Sequence, residues 1–216
     1  MKKILLLAVL ALALPMAVFA GSSTDYTNSG GTLAGSNSGL TLTGSTLIAV
    51  NGLNGGGLIA GNDLGSVSLS TGALTSGSLD MGGTFAAGGS FTIIGNGTSG
   101  IPNATLFSGA FDGPVTWTLV TLANGTHNYT LSGTLSGTTS TGVSAVGATI
   151  QLTINTGKGF FNGSTTISSG DTNIWSGGST KGVVPEPDSL SLLGTGLIGL
   201  AGVIRRTLKG VTRRKT

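Results

Sequence analysis

Apolar and polar residues alternate along much of the chain between residues 21 and 184. Val115, Trp117 and Leu119 alternate with Thr116 and Thr118. Tyr129, Leu131 and Leu135 share one parity with Gly133 between them, and Ile150, Leu152 and Ile154 alternate with Gln151, Thr153 and Asn155. A period of two with threonine on the other face marks a half-buried antiparallel strand. Shorter strands are expected at residues 40–42, 47–50, 67–69 and 91–93. Asn124 and Gly125 separate the Trp117 and Tyr129 strands, and Asn162 and Gly163 follow Phe160 and Phe161. Asn-Gly supplies the positive φ that tight hairpins require. Between Leu119 and Val120 the alternation slips by one residue, which predicts a bulge.

No helical period runs through residues 21–184. Short strands at this spacing predict an all-β passenger, built as an antiparallel β-sandwich or a related barrel. The stretch up to about Phe85 is looser and richer in Gly, Ser and Thr. Triplets such as Gly31-Thr32-Leu33 and Gly133-Thr134-Leu135 recur without a fixed period. A β-solenoid, which needs such a period, is the alternative architecture.

Composition sharpens this picture. Charged residues are 8% of the chain, against roughly 25% in ordinary globular proteins, and there are 40 glycines. Low charge argues against the common kind of disorder. Cysteine is absent, so there is no disulfide framework and no thiolate metal site. The net charge of +3 has to be split by region. Lys2 and Lys3 stand at one end, and Arg205, Arg206, Lys209, Arg213, Arg214 and Lys215 at the other. Between them Lys158 and Lys181 face Asp25, Asp63, Asp80, Asp112 and Asp171, so the passenger is acidic. Basic residues flanking apolar runs encode membrane topology, and no nucleic-acid partner is expected.

Residues 1–20 read as a signal peptide: two lysines, an apolar run over 4–14, Pro15, and small residues leading to cleavage between Ala20 and Gly21. That run is short for a membrane span, which wants about 20 residues. A signal peptidase and a Sec-type translocon are the partners this implies. The passenger occupies residues 21–182. Residues 183–210 form a second targeting segment, with Pro185, Glu186 and Pro187 ahead of an apolar helix at about 189–204 and a basic tail at 205–215. The prolines end any strand and hold the chain extended. The apolar run of residues 190–204 would be about 22 Å long as a helix. Snorkelling arginines and local thinning can match it to the hydrocarbon of the inner membrane. Arg205, Arg206 and Lys209 set its topology, cytoplasmic on their own side with the passenger outside.

Val184-Pro-Glu-Pro, the Leu/Gly-rich run from Leu190 to Gly202, and Arg205-Arg206 together resemble the PEP-CTERM protein-sorting domain, a region also labelled ice-binding protein C-terminal domain. The resemblance covers roughly the last thirty residues, with Asp188 where the family often has a small residue. It implies that the helix holds the exported protein in the inner membrane until an exosortase-type transpeptidase recognises Pro185, Glu186 and Pro187. The passenger is then released or transferred to the surface.

Catalytic chemistry is sparse. His127 is the only histidine and, just past the Asn124-Gly125 turn, reads as a solvent-facing turn residue. No G-x-S-x-G elbow occurs, and the setting of Lys158 lacks the remaining parts of a P-loop. Residues 194–199 match G-x-G-x-x-G, but a Pro-Glu-Pro sequence precedes them where a dinucleotide fold needs a strand. The aspartates follow no calcium-loop spacing, although folding can bring two together. Trp117 is expected in the core, while Trp175 is left open. No enzyme activity, cofactor or metal site is expected. The chain reads as an exported surface or matrix protein with a structural passenger. The alternative is an adhesive module for polysaccharide, cells or ice, with exopolysaccharide a candidate partner. A secreted hydrolase is the third class, requiring paired carboxylates in a pocket near His127.

Overall fold

The computed structural model describes residues 22–176. Ala20, Gly21, Pro185, Glu186, Pro187, Arg205, Arg206 and Lys209, and with them both expected terminal helices, lie outside these residues. No helix among the described residues is long and apolar enough to cross a membrane.

Thirteen strands make up the fold: β1 (Ser22–Ser29), β2 (Thr32–Ser36), β3 (Gly39–Asn51), β4 (Ile59–Ser70), β5 (Leu74–Ser78), β6 (Gly82–Phe85), β7 (Gly88–Gly95), β8 (Thr105–Phe111), β9 (Val115–Thr121), β10 (His127–Thr139), β11 (Ser144–Asn155), β12 (Ser164–Thr166) and β13 (Ser169–Ser176). Eight of them close an antiparallel barrel in the order β1-β3-β4-β7-β8-β10-β11-β13, with β13 returning to β1. Closure removes the free edges that an open sheet must otherwise protect. Every strand pairing is antiparallel, so the solenoid alternative gives way to a barrel.

The two longest strands each serve two sheets. The first half of β3 pairs with β2 and its second half with β1. Likewise β10 pairs first with β9 and then with β8. Two flaps therefore leave the barrel, β2-β12 from β3 and β9-β6-β5 from β10. Phe161 fits between them. Its ring lies against the backbone of Gly35 on β2 and meets Trp117 of β9 edge-on at 5.4 Å. Trp117 in turn stacks on Tyr129 of β10 at 4.9 Å. Of the two architectures expected from the alternation, the barrel is the one present, with the two flaps meeting around Phe161.

The inward faces follow the expected parities. Val115, Trp117, Tyr129, Leu131, Leu135, Ile150, Leu152 and Ile154 are all buried, as are Leu40, Leu42, Val67, Leu69, Phe91 and Ile93. The glycines have specific work in places. Gly109 and Gly137 face one another across β8 and β10, and a Cβ on Gly137 would come within 2.7 Å of the Phe107 ring. The pair leaves room for that ring to lie across both strands.

Several local expectations are corrected. No bulge follows Leu119: the β9-β10 register is continuous, and Val120 simply faces outward. Residues 40–42 and 47–50 belong to the single strand β3, whose register shifts between Leu42 and Ser45. Gly44 there adopts a φ of 67°. The stretch before Phe85 is as fully stranded as the rest, supplying β1, β3 and β4 to the barrel. Asn124-Gly125 does turn a hairpin, closed by Gly125 N–H on the Leu122 carbonyl at 2.9 Å. Asn162-Gly163 does not. Gly163 has the positive φ of 103°, but its carbonyl accepts from Gly35 N–H as the chain passes to β12, which pairs with β2.

Candidate functional site

On a strand with one buried face, the other face presents every second residue to solvent. Across β9, β10, β11, β13 and β1 the antiparallel register aligns these outward positions into rows. One row runs Thr116, Ser132, Gln151, Asp171, Thr27. The next runs Thr134, Thr149, Asn173, Asp25. The wall is hollowed here into an open cleft of about 660 Å³, with Gly113 and Pro114 at its rim. Its sides are hydroxyls, two amides and two carboxylates, over a floor formed by the buried Tyr26, Ile150 and Thr172.

Internal hydrogen bonds hold this lining in place. Asn173 Nδ2 donates to Asp25 Oδ1 across β1 and β13. Asp112 accepts from Ser136 Oγ at 2.6 Å and from Thr134 Oγ1, which ties the rim turn to β10. Partial burial pushes the Asp112 carboxyl up. The Ser136 and Thr134 hydroxyls and backbone N–H groups outweigh it and hold the carboxyl below its ordinary value. At Tyr26, burial pushes the phenol up to about 12, so it stays neutral under any physiological condition.

The fold brings together two of the scattered aspartates, Asp25 and Asp171, on one face of neighbouring strands. The other three are held by hydrogen bonds elsewhere. Asp63 accepts from Asn96 Nδ2 at 3.0 Å. Asp80 accepts from Ser78 Oγ, the main cause that lowers its carboxyl from the usual value. Among the described residues no three His, Asp or Glu side chains converge as metal ligands would.

His127 is not where the sequence suggested. It is 8% exposed, stacked under Phe160 at 4.2 Å, with Nδ1 3.1 Å from the Gly159 carbonyl. The following loop folds back over the turn and covers it. It does not line the cleft, so the carboxylates and the histidine are not assembled into one site.

Sequence reasoning left Trp175 undecided and did not find the cleft. The signal was present in β13, where Asp171, Asn173 and Trp175 alternate with Thr172 and Ile174. Burial confirms the parity: Thr172 and Ile174 are inside, while Trp175 is 45% exposed. Trp175 therefore shares the face of Asp171 and Asn173, one strand repeat beyond the cleft lining.

The described chain is thus a closed antiparallel barrel carrying an open cleft on its wall. Beyond it, residues 183–206 match the PEP-CTERM protein-sorting motif. The chain carries that motif where Val184-Pro-Glu-Pro and the apolar and basic residues after it indicated. The motif marks an exported protein with a membrane-anchored precursor and implies an exosortase-type processing partner. No curated protein and no solved structure matches the chain.

Proposed function

We propose that this protein is a non-enzymatic component of the cell surface or extracellular matrix, its β passenger delivered there by the sorting tail. Residues 1–20 direct it to a Sec-type translocon and are removed by signal peptidase between Ala20 and Gly21. The apolar segment at 189–204, followed by Arg205, Arg206 and Lys209, then retains it in the inner membrane. An exosortase-type transpeptidase acting at Pro185, Glu186 and Pro187 sends the passenger onward.

The observation that carries this reading is the sorting motif at residues 183–206, which follows the β domain in the chain. A closed barrel with few charges and no disulfides suits a structural role outside the cell, because it needs no redox maturation and its eight staves have no free edge.

The test is fractionation of cells expressing the tagged full chain, with Pro185, Glu186 and Pro187 intact or all changed to alanine. The intact chain should yield a shortened product beyond the inner membrane, and the triple variant should accumulate there at precursor size. Identical size and destination for the two would refute the reading.

A further inference from the structure

We propose that the cleft on the barrel wall, together with Trp175, is a binding site for a neutral polysaccharide strand. This rests on the reading that the barrel is delivered outside the cell, and it names what the passenger holds there.

Three observations carry it. The first is shape. A trough of about 660 Å³, open to solvent and crossing several strands, suits a section of an extended chain better than an enclosed small molecule. The second is chemistry. Asp25, Asp171, Asn173 and Gln151 offer acceptors and planar amides, and Thr134 and Thr149 offer hydroxyls that both donate and accept. Sugar hydroxyls need this mixture. The third is the indole. Trp117 is 1% exposed and buried in the core, whereas Trp175 is 45% exposed on the face of Asp171 and Asn173. One strand repeat, about 7 Å, separates Trp175 from Asn173 along β13. An indole there offers an apolar plane for the C–H face of a pyranose, while the trough takes its hydroxyls.

Charge selects among polysaccharides. Among residues 22–176 the only lysine is Lys158, no arginine occurs, and there are five aspartates. Two of those carboxylates stand in the trough. A uronate or sulfate chain would meet like charge there with no cation to pair it, so neutral hexose polymers are favoured. The same carboxylates argue against ice. They interrupt the rows of hydroxyls that a regular ice lattice would need to match.

The test uses the full chain, exported and purified in mild detergent, run in native gels containing dextran, hydroxyethyl cellulose, galactomannan or alginate. At least one neutral polymer should retard the chain and alginate should not. Binding should also shift the Trp175 fluorescence, while emission from buried Trp117 stays constant. Trp175→Ala should weaken retardation about ten-fold or more, as loss of an aromatic anchor does. Asp171→Asn and Gln151→Ala should each weaken it about three-fold or more. Leu58→Ala, exposed and outside the trough, should leave it unchanged. Thermal unfolding of each variant separates lost binding from lost folding. Retardation by none of the neutral polymers, equal retardation by alginate, or undiminished binding by folded Trp175→Ala would overturn the proposal. Release of reducing sugar would replace it with hydrolysis. None of these outcomes bears on sorting, which fractionation reads separately.

Discussion

The interior between the two flaps and the interior beneath β1 and β13 are built on opposite terms. Between the flaps, large rings fill the space and their polar atoms are paired. Trp117 Nε1 donates to the Leu79 carbonyl at 2.8 Å. The Tyr129 hydroxyl donates to the Asp80 carbonyl at 2.6 Å and accepts from Phe161 N–H at 3.0 Å. Beneath β1 and β13 the buried residues include Asn28 and Thr172. Asn28 Nδ2 reaches Ser45 Oγ at 2.7 Å, but among the described residues Asn28 Oδ1 and Thr172 Oγ1 have no hydrogen-bond partner. A buried polar atom left unpaired costs stability that a paired one does not. The aromatic end therefore holds the fold, while the strands that carry Asp25, Asp171 and Trp175 on their outer face are not optimised inside. Natural proteins tolerate such local deficits where a surface is used for something other than stability.

Substitutions can break that contrast. Trp117→Ala should have the largest effect, about 3–5 kcal/mol of stability, because it removes a fully buried indole and its packing on Tyr129 and Phe161. Urea denaturation followed by circular dichroism measures it, and a loss under about 1 kcal/mol would deny the cluster its role. Tyr129→Phe keeps the ring but strands Phe161 N–H and the Asp80 carbonyl, and should cost about 1–3 kcal/mol in the same assay. Thr172→Val is the opposite case. It preserves shape and deletes an unpaired hydroxyl, so stability should stay level or rise by up to about 1 kcal/mol. A marked loss instead would mean that this hydroxyl is satisfied, by a bound water for instance.

The smallest effect concerns acid. The folded-state carboxyl of Asp112 lies below its ordinary value, so its contribution is present at neutral pH and is lost as pH falls through that lowered pKa. Asp112→Asn should flatten this part of the acid profile. The difference should be about 0.5 kcal/mol or less, because the group is largely open to solvent screening. Parallel melting curves between about pH 5 and pH 2.5 would reveal it, and a steeper acid loss in the variant would reverse the sign.

How far the fold could be read from sequence depended on where the information lay. Val115 and Trp117, or Ile150, Leu152 and Ile154, were legible because one face of each strand meets an apolar core. β1 gave no such pattern, since two of its inward positions are the polar Thr24 and Asn28. Its pairing with β13 joins Asp25 to Asn173 across 148 residues, a distance at which no local turn signal operates. The cleft was hidden for the same reason, being assembled from five strands scattered over the chain. Val120 misled because an exposed valine imitates a shift of phase. His127 misled because the covering loop, with Phe160, lies more than thirty residues further on.

The seam between β1 and β13 has a consequence for secretion. A polypeptide threaded outward from its amino end presents its first stave immediately and its last only when nearly all of the passenger has crossed. Until then β1 has β3 on one side and an open flank on the other. The cylinder can lock only once the segment just ahead of the sorting tail is present, so a chain truncated before β13 would keep β1 and β11 as two open, adhesive flanks.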